Sequence, residues 1–310
     1  MAVLVIADHD LGLLSPATAR VVHAVAELGP IDLLVIGKDA QDIASEAAKL
    51  AGVQKVLYAN SASTTENDVT LLSTLTLCYD YVVQSAGSVG KDRMPRLAAK
   101  LDLMPVTDVV EILGPTRFVR PIYAGNALKT VTDPQPKHIL TIRASAFRAA
   151  AADNNAPIEA IENAAVSAAR LISTHRTESD TPDLATAQIV VGGGVALGSA
   201  ENFQLVEKLA KSLGAAIGAT RAAVDAGYAP NDWQIGQTGK IIAPDLYIAV
   251  GISGALQHLA GIQGAKKIIA INSDPEAPLV KLADIALIGD LFEILPQLTA
   301  ELANLALPSR

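Results

Sequence analysis

The sequence contains a single cysteine, Cys78, among 310 residues. A lone thiol excludes a disulfide framework, and it equally excludes a CxxC metal or redox site. Because Cys78 ends the apolar run Leu71–Cys78, we expect it to be a buried, small hydrophobic side chain.

Aromatic residues are also scarce, at 4%, although 50% of the chain is hydrophobic. The core must therefore be built mainly from Ala, Val, Ile and Leu. This mixture is typical of helices packed on buried parallel strands.

Long apolar runs and positive charge are lacking too. No run approaches the ~18 apolar residues of a membrane helix, so no membrane insertion is expected. The net charge of −8 disfavours nucleic acid or an anionic membrane as the main partner. The chain enters a strand at Ala2–Ala7 without a basic leader. These features predict a cytoplasmic protein in a bacterium, or a mitochondrial matrix protein whose transit segment has been removed.

Catalytic patterns are missing as well. There is no HExxH motif, no nucleophile–base pair and no pair of catalytic carboxylates. His9, His23, His138 and His175 have no metal-ligand spacing, so no metal is expected. Any redox chemistry would then belong to a cofactor, with the protein supplying binding and electrostatics.

The first half alternates between strand-like and helix-like segments, which indicates an α/β layer architecture. The predicted strands are Val3–Ala7, Ile31–Ile36, Lys55–Ala59 and Tyr81–Gln84. The predicted helices are Pro16–Leu28, opened by Ser15 as N-cap, Asp39–Leu50, Val69–Leu77 and Lys91–Leu101. Hairpin or edge strands are expected next, at Val106–Ile112, Phe118–Tyr123, Leu128–Thr132 and His138–Ile142.

A polar, Ala-rich stretch at about residues 149–183 predicts a domain boundary, with one amphipathic helix at Ile158–Ile172. We therefore predict an N-terminal α/β domain with extra hairpin strands over residues 1–183. A C-terminal domain with a doubly wound parallel sheet is predicted over residues 184–310.

In the second half, small or polar clusters follow each apolar run. Ligands of parallel α/β sheets bind beyond the carboxyl ends of the strands, so these clusters are candidate binding groups. The clusters are Gly192–Gly194 after Ile189–Val191, Thr220-Arg221 after Ala215–Ala219, Ser253-Gly254 after Leu246–Ile252, Asn272 after Lys267–Ile271 and Asp290 after Ile285–Gly289.

The glycine run Gly192–Gly194 precedes a predicted helix at Glu201–Leu213. Glycine there would let the backbone approach a pyrophosphate at a helix N-terminus. The G-x-G-x-x-G fingerprint is not intact, because Leu197 occupies the position of its last glycine. A plain strand–helix turn explains the run equally well. The incomplete fingerprint also argues against the alternative that this is a nicotinamide-dependent dehydrogenase domain.

The densest motifs lie in Gly218–His258: they are Thr220–Gly227, Pro230–Gln234, Gly236–Lys240 and Gly251–Gly254, followed by Gln257–Gly261. This stretch resembles the FAD-binding domain of the electron transfer flavoprotein alpha subunit. The first domain resembles the same family more loosely, through Pro95–Leu101 and Ile122–Ala127. In that family the first domain holds no cofactor and forms a scaffold shared with the beta subunit.

The resemblance implies FAD as cofactor and roles for three side chains in tuning it. Arg221 would lie over the flavin ring, Thr238 would hydrogen-bond N5, and His258 would approach the pyrimidine edge. The cofactor-binding residues implied are Gly193, Gly194, Thr220, Arg221, Ile235, Gly236, Gln237, Thr238, Ser253, Gly254, Ala255, Leu256, Gln257, His258, Asn272, Asp290 and Leu291. On the residues alone, other roles compete: a surface arginine, ordinary turn chemistry at Gln237-Thr238, a structural histidine, and helix caps at Asn272 and Asp290.

The sequence departs from the family pattern at Val195 and Ala196, where arginine and glycine are usual. A cation is thereby missing from the anionic side of the cofactor. Arg221 is left as the main candidate cation. A scaffold subunit with weakened flavin binding is therefore a further alternative.

The resemblance also implies a function as an electron carrier rather than an enzyme with its own substrate. Such a subunit pairs 1:1 with a beta subunit. It accepts electrons from flavoprotein dehydrogenases of the acyl-CoA dehydrogenase type, as in fatty acid beta-oxidation. It passes them through FAD to a membrane quinone oxidoreductase or a similar acceptor.

Overall fold

A computed structural model describes residues 1–10, 12–60, 64–162, 169, 172 and 181–304. The chain divides into two compact units, Met1–Tyr123 with Ala127–Arg176, and Thr177–Arg310 with Ala124–Asn126. The boundary predicted between residues 183 and 184 stays a prediction, because most of the preceding segment lies outside the described residues.

The first unit is organised around a seven-stranded parallel sheet in the order β12-β5-β4-β1-β6-β11-β7. An antiparallel sheet, β10-β9-β8, and a β2–β3 hairpin accompany it. The strands are β1 Val3–Ile6, β2 His9–Asp10, β3 Leu13–Leu14, β4 Ile31–Gly37, β5 Val53–Asn60, β6 Tyr81–Ser85, β7 Val106–Val109, β8 Glu111–Gly114, β9 Arg117–Ile122, β10 Ala127–Thr132, β11 His138–Ile142 and β12 Ile158–Ala160.

Four helices of this unit begin and end close to the predicted positions. They are α1 Pro16–Ala24, α2 Ala40–Ala47, α3 Thr65–Leu75 and α4 Ser88–Lys100. Ser15 caps α1 as expected, since its Oγ accepts a hydrogen bond from the Ala17 N–H at 3.3 Å. Alternate strand residues pack into two buried clusters, one on each face of the sheet, as both-face burial of a parallel sheet requires.

The four segments predicted as hairpin or edge strands divide between two sheets. Val106–Ile112 is not one strand: Val106–Val109 pairs with β11 as an edge strand of the parallel sheet, in line with the prediction, and Glu111–Gly114 joins the antiparallel sheet. His138–Ile142 is not an edge strand: it lies between β6 and β7, with all five residues buried. The prediction of hairpin strands is right for β8, β9 and β10.

Two further expectations for the first unit are wrong. Cys78 is exposed, because it ends a 3-10 turn at Thr76–Cys78 after α3 rather than continuing a buried helix. The first residues of the helix predicted over Ile158–Ile172 form a strand instead, since Ile158–Ala160 pairs in parallel with β5. The remainder of that prediction falls largely outside the described residues.

The second unit contains a five-stranded parallel sheet in the order β14-β13-β15-β16-β17. Its strands are β13 Ile189–Gly193, β14 Ala216–Ala219, β15 Leu246–Val250, β16 Ile268–Asn272 and β17 Ile285–Ile288. The chain runs from β13 to β14 on one side and then to β15 on the other, so the sheet is doubly wound with its switch point at β13. The predicted fold class, two α/β domains with a doubly wound C-terminal sheet, is confirmed.

Helices and a loop cover the two faces of this second sheet. The helices are α5 Ala200–Leu213, α6 Arg221–Asp225, α7 Leu256–Ile262, α8 Pro278–Leu282 and α9 Leu291–Asn304. Apolar residues of α5 and α9, such as Phe203 and Leu295, pack on one face. Ile235, Ile242, Ile262 and Leu279 pack on the other. Within the residues that the structure describes, none of the helices has the length and hydropathy needed to cross a bilayer.

Candidate functional site

A cleft of about 390 Å³ lies beyond the carboxyl ends of β13, β14 and β15. The cleft lies at the switch point of a doubly wound sheet, which is the place where such folds bind ligands. The lining residues are Gly194, Val195, Thr220, Arg221, Ala222, Asp225, Gln234, Ile235, Gly236, Gln237, Thr238, Gly251, Ile252, Ser253, Ala255, Gln257 and His258.

Glycines bring the ends of β13 and β15 close together at the base of the cleft. The Gly194 N–H donates to the Val250 carbonyl at 2.8 Å. A Cβ added at Gly194 would collide with the Gly251 carbonyl oxygen, and Gly251 has a φ of 60°, which favours glycine. These two glycines therefore let the ends of β13 and β15 pack directly on each other, and this backbone contact forms the base of the cleft, termed the glycine floor.

The loop from Gln234 to Ile242 forms one wall and is fixed to both neighbouring elements. Its Ile235 N–H donates to Ala219 O at the end of β14, at 2.9 Å. Its Gln237 N–H donates to Gln257 O in α7, also at 2.9 Å. A Cβ at Gly261 would lie 2.5 Å from the Gly236 nitrogen, so Gly261 permits this close packing of loop on helix. The wall is thus held before any ligand binds.

Arg221 supplies the positive charge of the cleft. It follows Thr220, whose Oγ1 caps α6 by accepting from the Ala223 N–H at 3.2 Å. The Arg221 Nε lies 3.3 Å from Asp225 Oδ2, one helical turn away, with side chains 67% and 63% exposed. Among the described lining residues Arg221 is the only permanent cation. Asp225, a residue not predicted for the site, offsets part of its charge.

A buried glutamine orients the Thr238 hydroxyl. Gln234 is 7% exposed, and its Nε2 donates to Thr238 Oγ1 at 2.9 Å. Since the hydroxyl oxygen accepts from Gln234, its own proton is free to be donated into the cleft. Gln234 belongs to one of the motifs that resemble the family but is not among the predicted site residues. Its role is visible only from its hydrogen bond to Thr238.

His258 is 6% exposed, and both of its ring nitrogens have partners within the protein. Nε2 lies 2.9 Å from the Tyr247 hydroxyl, and Nδ1 lies 3.3 Å from the Ile235 carbonyl. Burial lowers the pKa of His258 to about 4, against a smaller opposing effect of the hydrogen bond to Ile235. The imidazole is therefore neutral at physiological pH and contributes a hydrogen bond rather than a charge.

The cleft brings together most of the predicted site residues. Those that line it are Gly194, Thr220, Arg221, Ile235, Gly236, Gln237, Thr238, Ser253, Ala255, Gln257 and His258. Those that do not are Gly193, Gly254, Leu256, Asn272, Asp290 and Leu291. Besides Asp225 and Gln234, the lining residues absent from the prediction are Val195, Ala222, Gly251 and Ile252. Gly251 and Ile252 could have been found from their place at the end of an apolar run.

Asn272 and Asp290 form local hydrogen bonds at their strand ends. Asn272 Nδ2 donates to Ile252 O at 3.0 Å, and its Oδ1 accepts from the Asp274 N–H at 3.1 Å. Asp290 Oδ1 accepts from the Phe292 N–H at 2.8 Å at the start of α9. The contact of Asp290 is the helix cap expected as an alternative, whereas Asn272 caps no helix and joins the end of β16 to Ile252. Binding of an adenosine by either residue stays a prediction.

The donors present fit a flavin dinucleotide. In the part of the chain that the structure describes, the backbone N–H groups of Ser253 and Ala255 donate to no protein acceptor, although both residues line the cleft. Together with the Arg221 guanidinium and the Thr238 hydroxyl, they provide donors for the oxygens and nitrogens of such a ligand.

Both halves of the sequence match known domain families. Residues 3–166 match the electron transfer flavoprotein domain. Residues 183–263, which contain all of the lining residues named above, match the electron transfer flavoprotein FAD-binding domain.

Full-length relatives carry consistent names. The chain is 48% identical over 310 residues to the electron transfer flavoprotein subunit alpha of Paracoccus denitrificans, covering 97% of this chain and 100% of the relative. It is 45% identical to the mitochondrial electron transfer flavoprotein subunit alpha of Arabidopsis thaliana, with 97% and 90% covered. A probable mitochondrial subunit alpha from Caenorhabditis elegans is 43% identical, with 96% and 93% covered.

Proposed function

Because the chain belongs to the family of electron transfer flavoprotein alpha subunits, whose second domain binds FAD, we propose that the flavin lies in the cleft beyond β13, β14 and β15. The protein would carry electrons from flavoprotein dehydrogenases of the acyl-CoA dehydrogenase type to a quinone oxidoreductase or a similar acceptor. The observation that carries this proposal is the cleft itself: a glycine floor at a switch point, with Arg221 and the oriented Thr238 hydroxyl at its walls.

In this proposal the cofactor carries out the redox chemistry, and the protein binds the cofactor and sets its electrostatic environment. Bound FAD supplies one- and two-electron transfer. Arg221 favours negative charge in the cleft, and the Thr238 hydroxyl, which accepts a hydrogen bond from Gln234, would donate a hydrogen bond to an acceptor atom of the ligand. His258 holds a neutral ring at the wall formed by Ile235. The tight packing of loop on α7 limits the reorganisation needed on binding.

The first test is the flavin content of the purified protein. We expect yellow protein that releases about one FAD per chain on denaturation, measured by absorbance and by chromatography of the supernatant. Release of a nicotinamide nucleotide would support the dehydrogenase alternative. Colourless protein that does not take up added FAD would support a scaffold subunit and contradict the proposal.

A partner subunit is the second element of the proposal. Family membership supports a beta subunit, and apolar surface supports an interface: β17, an edge strand, leaves Ile285, Leu287 and Ile288 between 39% and 57% exposed. On the first unit, Leu13 and Met104 are 70% and 74% exposed.

We therefore expect a 1:1 heterodimer when the chain is produced together with the beta subunit of its source. Analytical ultracentrifugation measures the mass, and a dye-reduction assay with a dehydrogenase measures electron transfer. A chain that sediments alone as a monomer and is fully active in that assay would contradict this expectation.

The named relatives occur in bacteria and in mitochondria. We accordingly propose the cytoplasm as the compartment for a bacterial source, and the mitochondrial matrix for a eukaryotic one. Fractionation of the source cells, with immunodetection of the chain, tests this assignment.

A further inference from the structure

We propose that Tyr247 is a positioning residue that holds His258 in a single tautomer, with the proton on Nδ1 at the wall of the cleft. The inference rests on the proposed function only in its last step, where the Nδ1–H group is offered to a bound flavin. Its first step concerns the protein alone and can be measured without a cofactor.

The hydroxyl of Tyr247 has one hydrogen-bond partner among the described residues. Tyr247 is fully buried in β15, in the apolar cluster with Ile235, Ile262 and Leu279. Its Oη lies 2.9 Å from His258 Nε2. A buried phenol needs a partner for its proton, and burial raises the pKa of Tyr247 far above its usual value. The hydroxyl therefore donates, and Nε2 accepts.

The other ring nitrogen completes the assignment. Nδ1 lies 3.3 Å from the Ile235 carbonyl, which can only accept. Nδ1 must then carry the proton, in agreement with an accepting Nε2. Two independent contacts, one from a strand and one from the cleft wall, select the same tautomer.

The surrounding backbone is shaped to keep this arrangement. A Cβ at Gly192, on the neighbouring strand β13, would collide with the Tyr247 hydroxyl, so glycine there makes room for the hydroxyl group. On the other side, Gly236 and Gly261 let the loop carrying Ile235 pack directly on the helix that carries His258. The phenol, the imidazole and the carbonyl thus form one connected hydrogen-bonded row.

The row has a consequence for ligand binding. The Nδ1–H···O contact to Ile235 is long at 3.3 Å, and both residues line the cleft. An acceptor atom of a ligand at this wall can therefore share the hydrogen bond from Nδ1–H with the Ile235 carbonyl, or replace the carbonyl as its acceptor. Donation from Tyr247 to Nε2 polarises the ring and strengthens the donor at Nδ1.

The first experiment is 15N NMR of the His258 ring in the flavin-free, full-length protein. The wild-type protein should show one tautomer, with a protonated Nδ1 and a hydrogen-bonded Nε2. In Tyr247→Phe, which keeps the ring and removes only the hydroxyl, the Nε2 resonance should move to that of an acceptor without a donor. A wild-type ring protonated on Nε2 overturns the proposal, whether or not the variant folds and whether or not the chain binds FAD.

The second experiment measures the reduction potential of the flavin-loaded protein. Loss of the Tyr247 hydroxyl should shift the first reduction equilibrium toward the oxidised form by about two- to tenfold, the worth of one neutral hydrogen bond. Tyr228→Phe is the matched control, because Tyr228 is half-buried against the cluster on the opposite face of the sheet. An unchanged equilibrium in Tyr247→Phe would show that the pair is structural only.

Discussion

Arg221→Ala is expected to lower the first reduction potential of the bound flavin by about 60 mV while FAD still binds. Reduction adds negative charge, and a cation near that charge stabilises the reduced form more than the oxidised form. A charge-assisted interaction is worth ~1.5–3 kcal/mol. Because Arg221 is 67% exposed, solvent screening favours the lower end of this range. That corresponds to about tenfold in the equilibrium, and 59 mV per tenfold for one electron gives the expected shift.

Asp225 provides a second variant with the opposite sign. Its carboxylate lies 3.3 Å from the Arg221 guanidinium and offsets part of the positive charge. Asp225→Asn should therefore raise the potential, by less than Arg221→Ala lowers it. Potentiometric titration with a series of redox dyes measures all three proteins.

The controls separate charge from shape. Arg221→Lys keeps the charge but loses the planar donors, so it should lie between the wild-type protein and the alanine variant. Increasing the salt concentration should reduce every shift, since the ion pair is exposed. Equal potentials in the wild-type protein, Arg221→Ala and Asp225→Asn would place Arg221 outside the electrostatic environment of the flavin.

Most strands of the two parallel sheets could be predicted from the sequence because they are short apolar runs with turn residues at their ends, although Ile158–Ala160 was expected in a helix. The order of strands could not, and β11 shows why. β11 contains the polar residues His138 and Thr141, which are unusual within a parallel strand buried on both faces. In the structure both are buried, because His138 Nδ1 lies 2.7 Å from Asp133 Oδ2 and Thr141 Oγ1 accepts from the Asp108 N–H. The partners that make this burial possible come from other segments.

The candidate site shows the same division between local and non-local information. Thr220, Arg221 and Ser253 follow strands, so their place at the carboxyl edge is encoded locally. Gln234 and Asp225 act through side-chain contacts with Thr238 and Arg221, each four residues away, and the i,i+4 spacing of Arg221 and Asp225 in α6 is a local signal of their ion pair. The neutral state of His258, in contrast, depends on burial by the loop and by Tyr247, which lie elsewhere in the chain.

Val195 occupies the position where the resemblance leads us to expect arginine, and the structure gives this difference a testable consequence. The residue lies in a 3-10 turn directly after the glycine floor, lines the cleft and is 50% exposed. A longer side chain there has open solvent on one side. Arginine can therefore be introduced without repacking the core, and its charge would lie at the mouth of a cleft proposed to hold an anionic cofactor.

Val195→Arg is accordingly expected to tighten FAD binding by about ten- to a hundredfold. One hydrogen bond to a charged group is worth ~1.5–3 kcal/mol, and each 1.4 kcal/mol is a factor of ten in the dissociation constant. Isothermal titration of the flavin-free proteins with FAD gives the two constants. Because phosphate contacts are screened by salt, the advantage of the variant should shrink as the salt concentration rises.

Two variants define what such a gain would mean. Val195→Gln supplies a long polar side chain without charge and should tighten binding less than arginine does. Val89→Arg places the same added charge on an exposed position of α4, where Val89 is 52% exposed, and should leave the constant unchanged. If Val195→Arg and the wild-type protein bind FAD equally, the phosphates are already satisfied by other donors. The N–H groups of Ser253 and Ala255, which donate to no acceptor among the described residues, would then be the donors to examine, since a backbone site of this kind needs no cation at residue 195.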